Sequence, residues 1–115
     1  MIDYHHEAQK VSESAAALRK GIPEEMAGFA GMGKGAYAEG VLSAKVKELI
    51  ALALGVASRC DGCVAYHAKR VAQLGATRDE VLETIGVAIQ MGGGPSMVYG
   101  GEALRAFEAF TDIKR

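Results

Sequence analysis

Apolar side chains return every three or four residues along most of this chain, and no stretch shows the alternation with period two that marks a strand. The first periodic segment runs from about Tyr4 to Lys20, with Tyr4, Ala8, Val11, Ala15, Leu18 and Ile22 on one stripe and Gly21 at its end. Pro23 suits the first position of a second helix, where its missing N–H is not needed, and Glu24 and Glu25 complement the positive end of the helix dipole. This helix is predicted to reach Tyr37 or Ala38, although Gly28, Gly31, Gly33 and Gly35 lower its intrinsic helix preference. Ser43 caps a third helix running to about Arg59. Its Leu49, Ile50, Leu52, Ala53, Leu54, Val56 and Ala57 are apolar nearly all round, so it is expected to be the central and most buried element.

A fourth helix starts near Asp61 and ends at Gly75, a suitable residue just past a helix terminus. Thr77-Arg78-Asp79-Glu80 reads as a capping box opening a fifth, with Val81, Leu82, Ile85, Ala88 and Ile89 inward. Gly92-Gly93-Gly94-Pro95 breaks the chain and opens a sixth, where Leu104, Phe107 and Phe110 continue the apolar stripe. The pattern predicts an all-α fold, a single domain over residues 1–115 of about six helices joined by short loops. There is no internal repeat and no linker long enough to divide it.

Composition adds a constraint on assembly. Half of the 115 residues are apolar, but aromatics make up only 6%, Trp is absent and Gly numbers 15. Small side chains let helices approach closely, and Gly86 and Gly100-Gly101 read as such points, within the chain or between subunits. They also bury little area each, so a lone protomer is expected to be modestly stable and to gain stability by forming a homo-oligomer. One or both of the stripes of the first helix (Val11, Ala15, Leu18) and the last (Leu104, Phe107, Phe110) are expected to be shared across a symmetric interface. The formal net charge is −1 with dispersed basic residues, which argues against nucleic acid as a partner. The polar start from Met1 to Glu7 carries no apolar core of a signal peptide, and the longest apolar run, Leu49 to Ala57, is far short of a membrane span. A cytoplasmic location is therefore expected, and in that reducing compartment two cysteines are catalytic or metal-binding rather than a disulfide scaffold.

Those two cysteines form the chemical centre of the sequence, in an E-x11-C-x2-C-x3-H arrangement of Glu48, Cys60, Cys63 and His67. Cys60 falls near the N-cap of the fourth helix and Cys63 in its first turn, where free amide N–H groups and the dipole favour a thiolate. His67 lies one helical turn after Cys63 on the same face, so a neutral imidazole there can take the thiol proton, directly or through a water. Glu48 is flanked by Lys45 and Lys47, which alone suggests a solvated charged turn. It shares a face with Leu52, Gly55 and Arg59, however, and that face meets the start of the fourth helix. Gly55 would leave room for His67 or a water, and a partly buried Glu48 would orient His67 and raise its basicity.

Other chemistries fit less well. Cys60, Cys63 and His67 could ligate zinc with Glu48 or His5 as a fourth ligand, but no second cysteine or histidine pair has suitable spacing, and no metal is expected. His5-His6 reads as a solvated helix start. Val64 after Cys63 rules out c-type haem attachment. Gly28 to Lys34 spells G-x-x-x-x-G-K, but Gly35 stands where a phosphate loop needs Ser or Thr, and helix rather than strand precedes it.

The segments Leu42 to Ala53, Cys60-Asp61-Gly62-Cys63-Val64-Ala65-Tyr66-His67 and Gly75 to Val81 resemble the carboxymuconolactone decarboxylase family, and the C-x-x-C-x-x-x-H resembles its alkylhydroperoxidase D branch. The match covers about Val41 to Met91. The resemblance implies an alkylhydroperoxidase D-like helical bundle that assembles as a homo-trimer or homo-hexamer, with one family domain per protomer. It implies a thiol-dependent peroxidase or disulfide reductase acting on a hydroperoxide or protein disulfide, recycled by an external dithiol, with no bound cofactor. By position Cys63 matches the inner, sulfenic-acid-forming cysteine, Cys60 its more exposed partner, and His67 and Glu48 the proton relay. The fuller enzymes often carry a histidine just before the inner cysteine, where this chain has Gly62. The family's decarboxylase lacks the cysteine pair. The alternatives are therefore a lyase or isomerase of a small lactone or keto acid using His67 as acid and base, and a non-catalytic redox-sensing protein.

Overall fold

The structure is a computed structural model that describes residues 2–111. Residues 1 and 112–115 of the expected domain, with Met1 of the polar start, lie outside the described residues. Six helices follow in order: α1 Tyr4–Gly21, α2 Pro23–Ala36, α3 Ala44–Ala57, α4 Asp61–Gln73, α5 Arg78–Gly92 and α6 Gly94–Thr111. No strand occurs among the described residues.

Local chemistry sets most of the boundaries. Asp3 caps α1 by accepting the His6 N–H at 3.2 Å, and Ser43 Oγ caps α3 by accepting the Val46 N–H at 3.1 Å. Pro23 opens α2. At α5 the capping box closes in both directions, Glu80 N–H to Thr77 Oγ1 at 3.1 Å and Thr77 N–H to Glu80 Oε1 at 2.8 Å. After α4, Gly75 takes the left-handed conformation with φ of 79°. The segment Gly28 to Gly35 lies inside α2 as continuous helix, so its amides do not form a phosphate cradle.

The core joins α3, α4, α5 and α6 through Leu52, Val56, Val64, Val71, Val81, Ile85 and Phe107, and α1 adds Tyr4 and Ala8. Small residues on α4 and α6 (Ala65, Ala68, Ala103, Ala106) are fully buried and let these two helices pack closely. Gly100 is one of the expected close approaches, and it serves contact within the chain, against Ile85 and Ile89. Gly86 and Gly101 make no such approach within the chain, where a Cβ at either would meet nothing within 4 Å.

The periodicity overstates how much is covered. α3 packs against α4, α5 and α6, but only with one side, and the central position expected for it falls to α6, which contacts α1, α3, α4 and α5. Ile50 and Leu54 face outward, as does Leu82 of α5. The stripe of α1 is buried only at Tyr4 and Ala8, while Leu18 and Ile22 are exposed. The stripe of α6 is covered in part within the chain, with Phe107 buried and Leu104 and Phe110 partly buried against the core. Further large uncovered apolar side chains are Phe29 and Met32 on α2, Val41 and Leu42 ahead of α3, Val46 on α3, Val87 and Met91 on α5, and Met97 and Val98 on α6. α2 has no buried residue at all and rests mainly on α1. Among the described residues no helix is long and apolar enough to cross a membrane.

Candidate functional site: a cysteine pair beside a buried carboxylate and imidazole

The site begins at the connection between α3 and α4. Arg59 adopts φ of 54°, a left-handed conformation that a side chain makes unfavourable, and this reverses the chain immediately after α3. The reversal is fixed by Arg59 N–H to the Val56 carbonyl at 3.1 Å and Cys60 N–H to the Gly55 carbonyl at 3.1 Å. Arg59 therefore stands outside the helical face that Glu48, Leu52 and Gly55 share.

Cys60 is the N-cap of α4, and its Sγ accepts the Cys63 N–H at 3.2 Å. Cys60 and Cys63 are joined as a disulfide, their Cα atoms 5.2 Å apart, a separation that a disulfide readily spans. Both side chains are half-buried. Two glycines shape the surroundings. A Cβ on Gly55 would stand 3.2 Å from Cys63 Cβ and 3.5 Å from Val64 N, so Gly55 makes room for the first turn of α4 rather than for His67 or a water. A Cβ on Gly62 would stand 2.9 Å from Val11 Cγ2. A methyl group of α1 thus occupies the space that a side chain at position 62 would need.

One turn beyond Cys63, His67 Nδ1 lies 2.7 Å from Glu48 Oε1. A carboxylate can only accept, so Nδ1 carries the proton and Nε2 is left as the acceptor nitrogen. Glu48 is 3% exposed, which removes the solvated-turn reading of this residue. Its flanking lysines turn elsewhere, Lys45 to Glu80 at 2.9 Å and Lys47 to the Ala38 carbonyl at 2.6 Å. The second carboxylate oxygen, Oε2, lies 3.6 Å from Arg70 Nε, and Arg70 Nη1 also donates to Gln73 Oε1 at 2.8 Å.

Two phenol rings flank the imidazole. Tyr66 meets it edge-on with centroids 5.0 Å apart, and Tyr37, at the end of α2, lies tilted at 5.8 Å. Burial pushes the Tyr37 phenol above its ordinary value, and the Glu48 carboxylate and Tyr66 push in the same direction. The Tyr99 phenol on α6 is pushed up by its hydrogen bond to the carboxylate of Asp61 at the start of α4, with burial adding to the effect.

Glu48, Cys60, Cys63 and His67, the four residues singled out by the sequence, are thus gathered where α3 meets α4. His5, the spare histidine weighed as a ligand, is engaged elsewhere: its Nε2 donates to the Ala109 carbonyl at 3.1 Å and its ring meets Phe110 edge-on. With Gln9, Ser12 and Lys69 it lines an open groove of about 360 Å³ between α1, α4 and α6. Arg70 and Tyr37 join the site without being singled out by the sequence pattern. Arg70 had a usable signal, a cation one turn after His67 on the same helix. Tyr37 had none, since a loop separates it from every residue it approaches.

An all-α bundle whose third helix supplies a buried glutamate to a C-x-x-C-x-x-x-H helix defines a class of small helical protein. The chain belongs to the carboxymuconolactone decarboxylase family, whose model matches residues 23–109. It is similar throughout to the apo crystal structure of a carboxymuconolactone decarboxylase family protein from Legionella pneumophila, with a TM-score of 0.92 and 46% identity over 94% of this chain and 96% of that one. A Thermotoga maritima protein of the same family, for which a part in the antioxidative response has been suggested, matches with a TM-score of 0.82 and 26% identity over 93% of this chain and 91% of that one. An uncharacterized protein of Cupriavidus necator is 40% identical over 102 residues, 89% of this chain and 90% of the relative. The alkylhydroperoxidase D-like branch of the family is consistent with these matches.

Proposed function

We propose that this protein is a thiol-dependent oxidoreductase that reduces hydroperoxides or protein disulfides through the Cys60–Cys63 pair. The observation that carries this reading is the sulfur–sulfur bond at the start of α4, one turn from an imidazole already held by a buried carboxylate. A pair that closes into a disulfide without disturbing the helix can cycle between two states.

In the peroxidase cycle His67 Nε2 takes the Cys63 thiol proton, with Glu48 holding the opposite nitrogen and stabilising the imidazolium. The Cys63 thiolate attacks the terminal oxygen of the hydroperoxide. The S–O bond forms, the O–O bond breaks, and the departing alkoxide takes the proton from His67 and leaves as alcohol. Cys60 then attacks the sulfenic sulfur, the S–S bond forms and water departs. An external dithiol returns two electrons and two protons to the pair. With a disulfide substrate, the thiolate attacks sulfur instead and the same intramolecular bond releases the reduced partner. The suggested antioxidative role of the Thermotoga relative supports the same direction.

The reading also includes assembly. Uncovered apolar side chains on α2, α3, α5 and α6 support a homo-oligomer, a trimer or hexamer, in which copies of this chain cover one another.

The test is a substitution pair. Cys63→Ser is expected to abolish consumption of hydroperoxide by the reduced protein. Cys60→Ser leaves a sulfenic acid on Cys63 that dimedone traps, without recycling. Trapping lost in Cys60→Ser and kept in Cys63→Ser would reverse the two roles. Retention of both free thiols at peroxide levels that oxidise ordinary reactive thiols would overturn the peroxidase reading.

A further inference from the structure

Glu48 is a nearly fully buried carboxylate with a different partner on each oxygen, the His67 imidazole on Oε1 and the Arg70 guanidinium on Oε2. A buried negative charge demands a compensating positive one, because burial of an isolated ion is costly. Two groups can supply it. If Arg70 does, His67 is free to remain neutral. If Arg70 were absent, the nearest source is a proton on His67 itself, and a protonated imidazole cannot accept the proton of a thiol.

The other groups around the pair offer no substitute. The Tyr37 phenol from the end of α2 and the Tyr66 phenol on α4 carry no positive charge, and the cysteines at the start of α4 are neutral as a disulfide or negative as thiolates. Lys45 and Lys47 on α3 are bound to Glu80 and the Ala38 carbonyl, and Lys69 on α4 lines the groove with His5. Among the described residues Arg70 is the one permanent cation within ion-pair distance of Glu48. Its Nη1 also donates to Gln73 Oε1 one turn along α4, while Nε faces Glu48 of α3.

We propose that Arg70 is a positioning residue of the relay, which balances the Glu48 carboxylate from the oxygen His67 does not use and so keeps His67 neutral and able to take the thiol proton. This rests on the redox reading of the site and adds to it the residue that keeps the relay in its base form at neutral pH. Arg70 does not touch the reacting atoms and acts through Glu48 alone.

The measurement is the NMR titration of His67 in histidine-labelled protein with the disulfide closed, so that no turnover is needed. Arg70→Gln is expected to move the midpoint of the His67 titration upward, because the buried Glu48 charge then has the imidazole as its one remaining ion-pair partner. Arg70→Met, which keeps the stem, repeats the shift, and Arg70→Lys restores most of the original midpoint. In the reduced protein the acid limb of Cys63 alkylation by iodoacetamide moves in the same direction. A His67 midpoint unchanged in both Arg70→Gln and Arg70→Met, or one that Arg70→Lys fails to restore, overturns the role given to Arg70. Absence of hydroperoxide or disulfide turnover in the unmodified protein would instead remove the functional reading, and the titration would still decide the charge balance.

Discussion

Ile85 Cγ2 on α5 lies 2.6 Å from the place where Gly100 of α6 would carry a Cβ. This contact sets how closely the last two helices approach, and it has an unambiguous sign. Ile85 is β-branched, buried, and flanked by Ile89, two of whose atoms would also be within 4 Å of that Cβ.

Gly100→Ala is accordingly expected to destabilise the protein. Overpacking of this kind costs about 1–3 kcal/mol, more than the gain of about 1 kcal/mol that alanine brings to a helix interior. Gly86→Ala, with open space around it, is expected to stabilise by up to about 1 kcal/mol. Urea unfolding of both variants checks the pair. Equal effects at the two sites would contradict the packing.

The pH response of the α5 cap follows from Glu80. The Thr77 backbone N–H, and next the Lys45 ammonium, hold its carboxyl below the ordinary 4.5. A depressed value means that the ionised form is favoured on folding. Its contribution is therefore present above the unfolded-state value and is lost as pH falls through the folded-state one. Glu80→Gln keeps a side chain able to close the capping box but loses the charge, so its melting temperature falls below that of the parent at neutral pH. The gap closes as pH drops below about 4.5. A gap constant with pH would mean that the charge contributes nothing.

Sedimentation equilibrium at micromolar concentration tests assembly, with a mass of three or six times the 12.0 kDa chain expected. Introducing a charge at the uncovered apolar surface, as in Ile50→Asp or Phe29→Asp, is expected to lower that mass. A single stable species near 12.0 kDa would show that α2 and the outer side of α3 tolerate water as they are.

The parts legible in the sequence are those governed by neighbours along the chain. Ser43, Thr77 with Glu80, and Gly75 mark helix ends because capping bonds and left-handed turns span only a few residues. The C-x-x-C-x-x-x-H spacing likewise fixes Cys60, Cys63 and His67 on one side of α4. Less legible was everything decided by which helices pair. Ile50, Leu54 and Leu82 obey the helical period yet face outward, because the period says that a stripe exists and not how wide a neighbour covers it. The helical period points Gly55 toward His67, whereas the reversal at Arg59 brings Cys63 against it. Val11 over Gly62 joins positions far apart in the chain, and nothing local announces it.

The sulfur of Cys60 is an acceptor for a backbone amide as well as half of a disulfide. Its bonding state is therefore communicated to the peptide group of Cys63, whose hydrogen faces a different acceptor when that sulfur is a bridging atom, a thiol or a thiolate. The Cys63 amide resonance and its hydrogen-exchange rate become an intrinsic gauge of oxidation state, which is useful in a chain that has no tryptophan to report it by fluorescence.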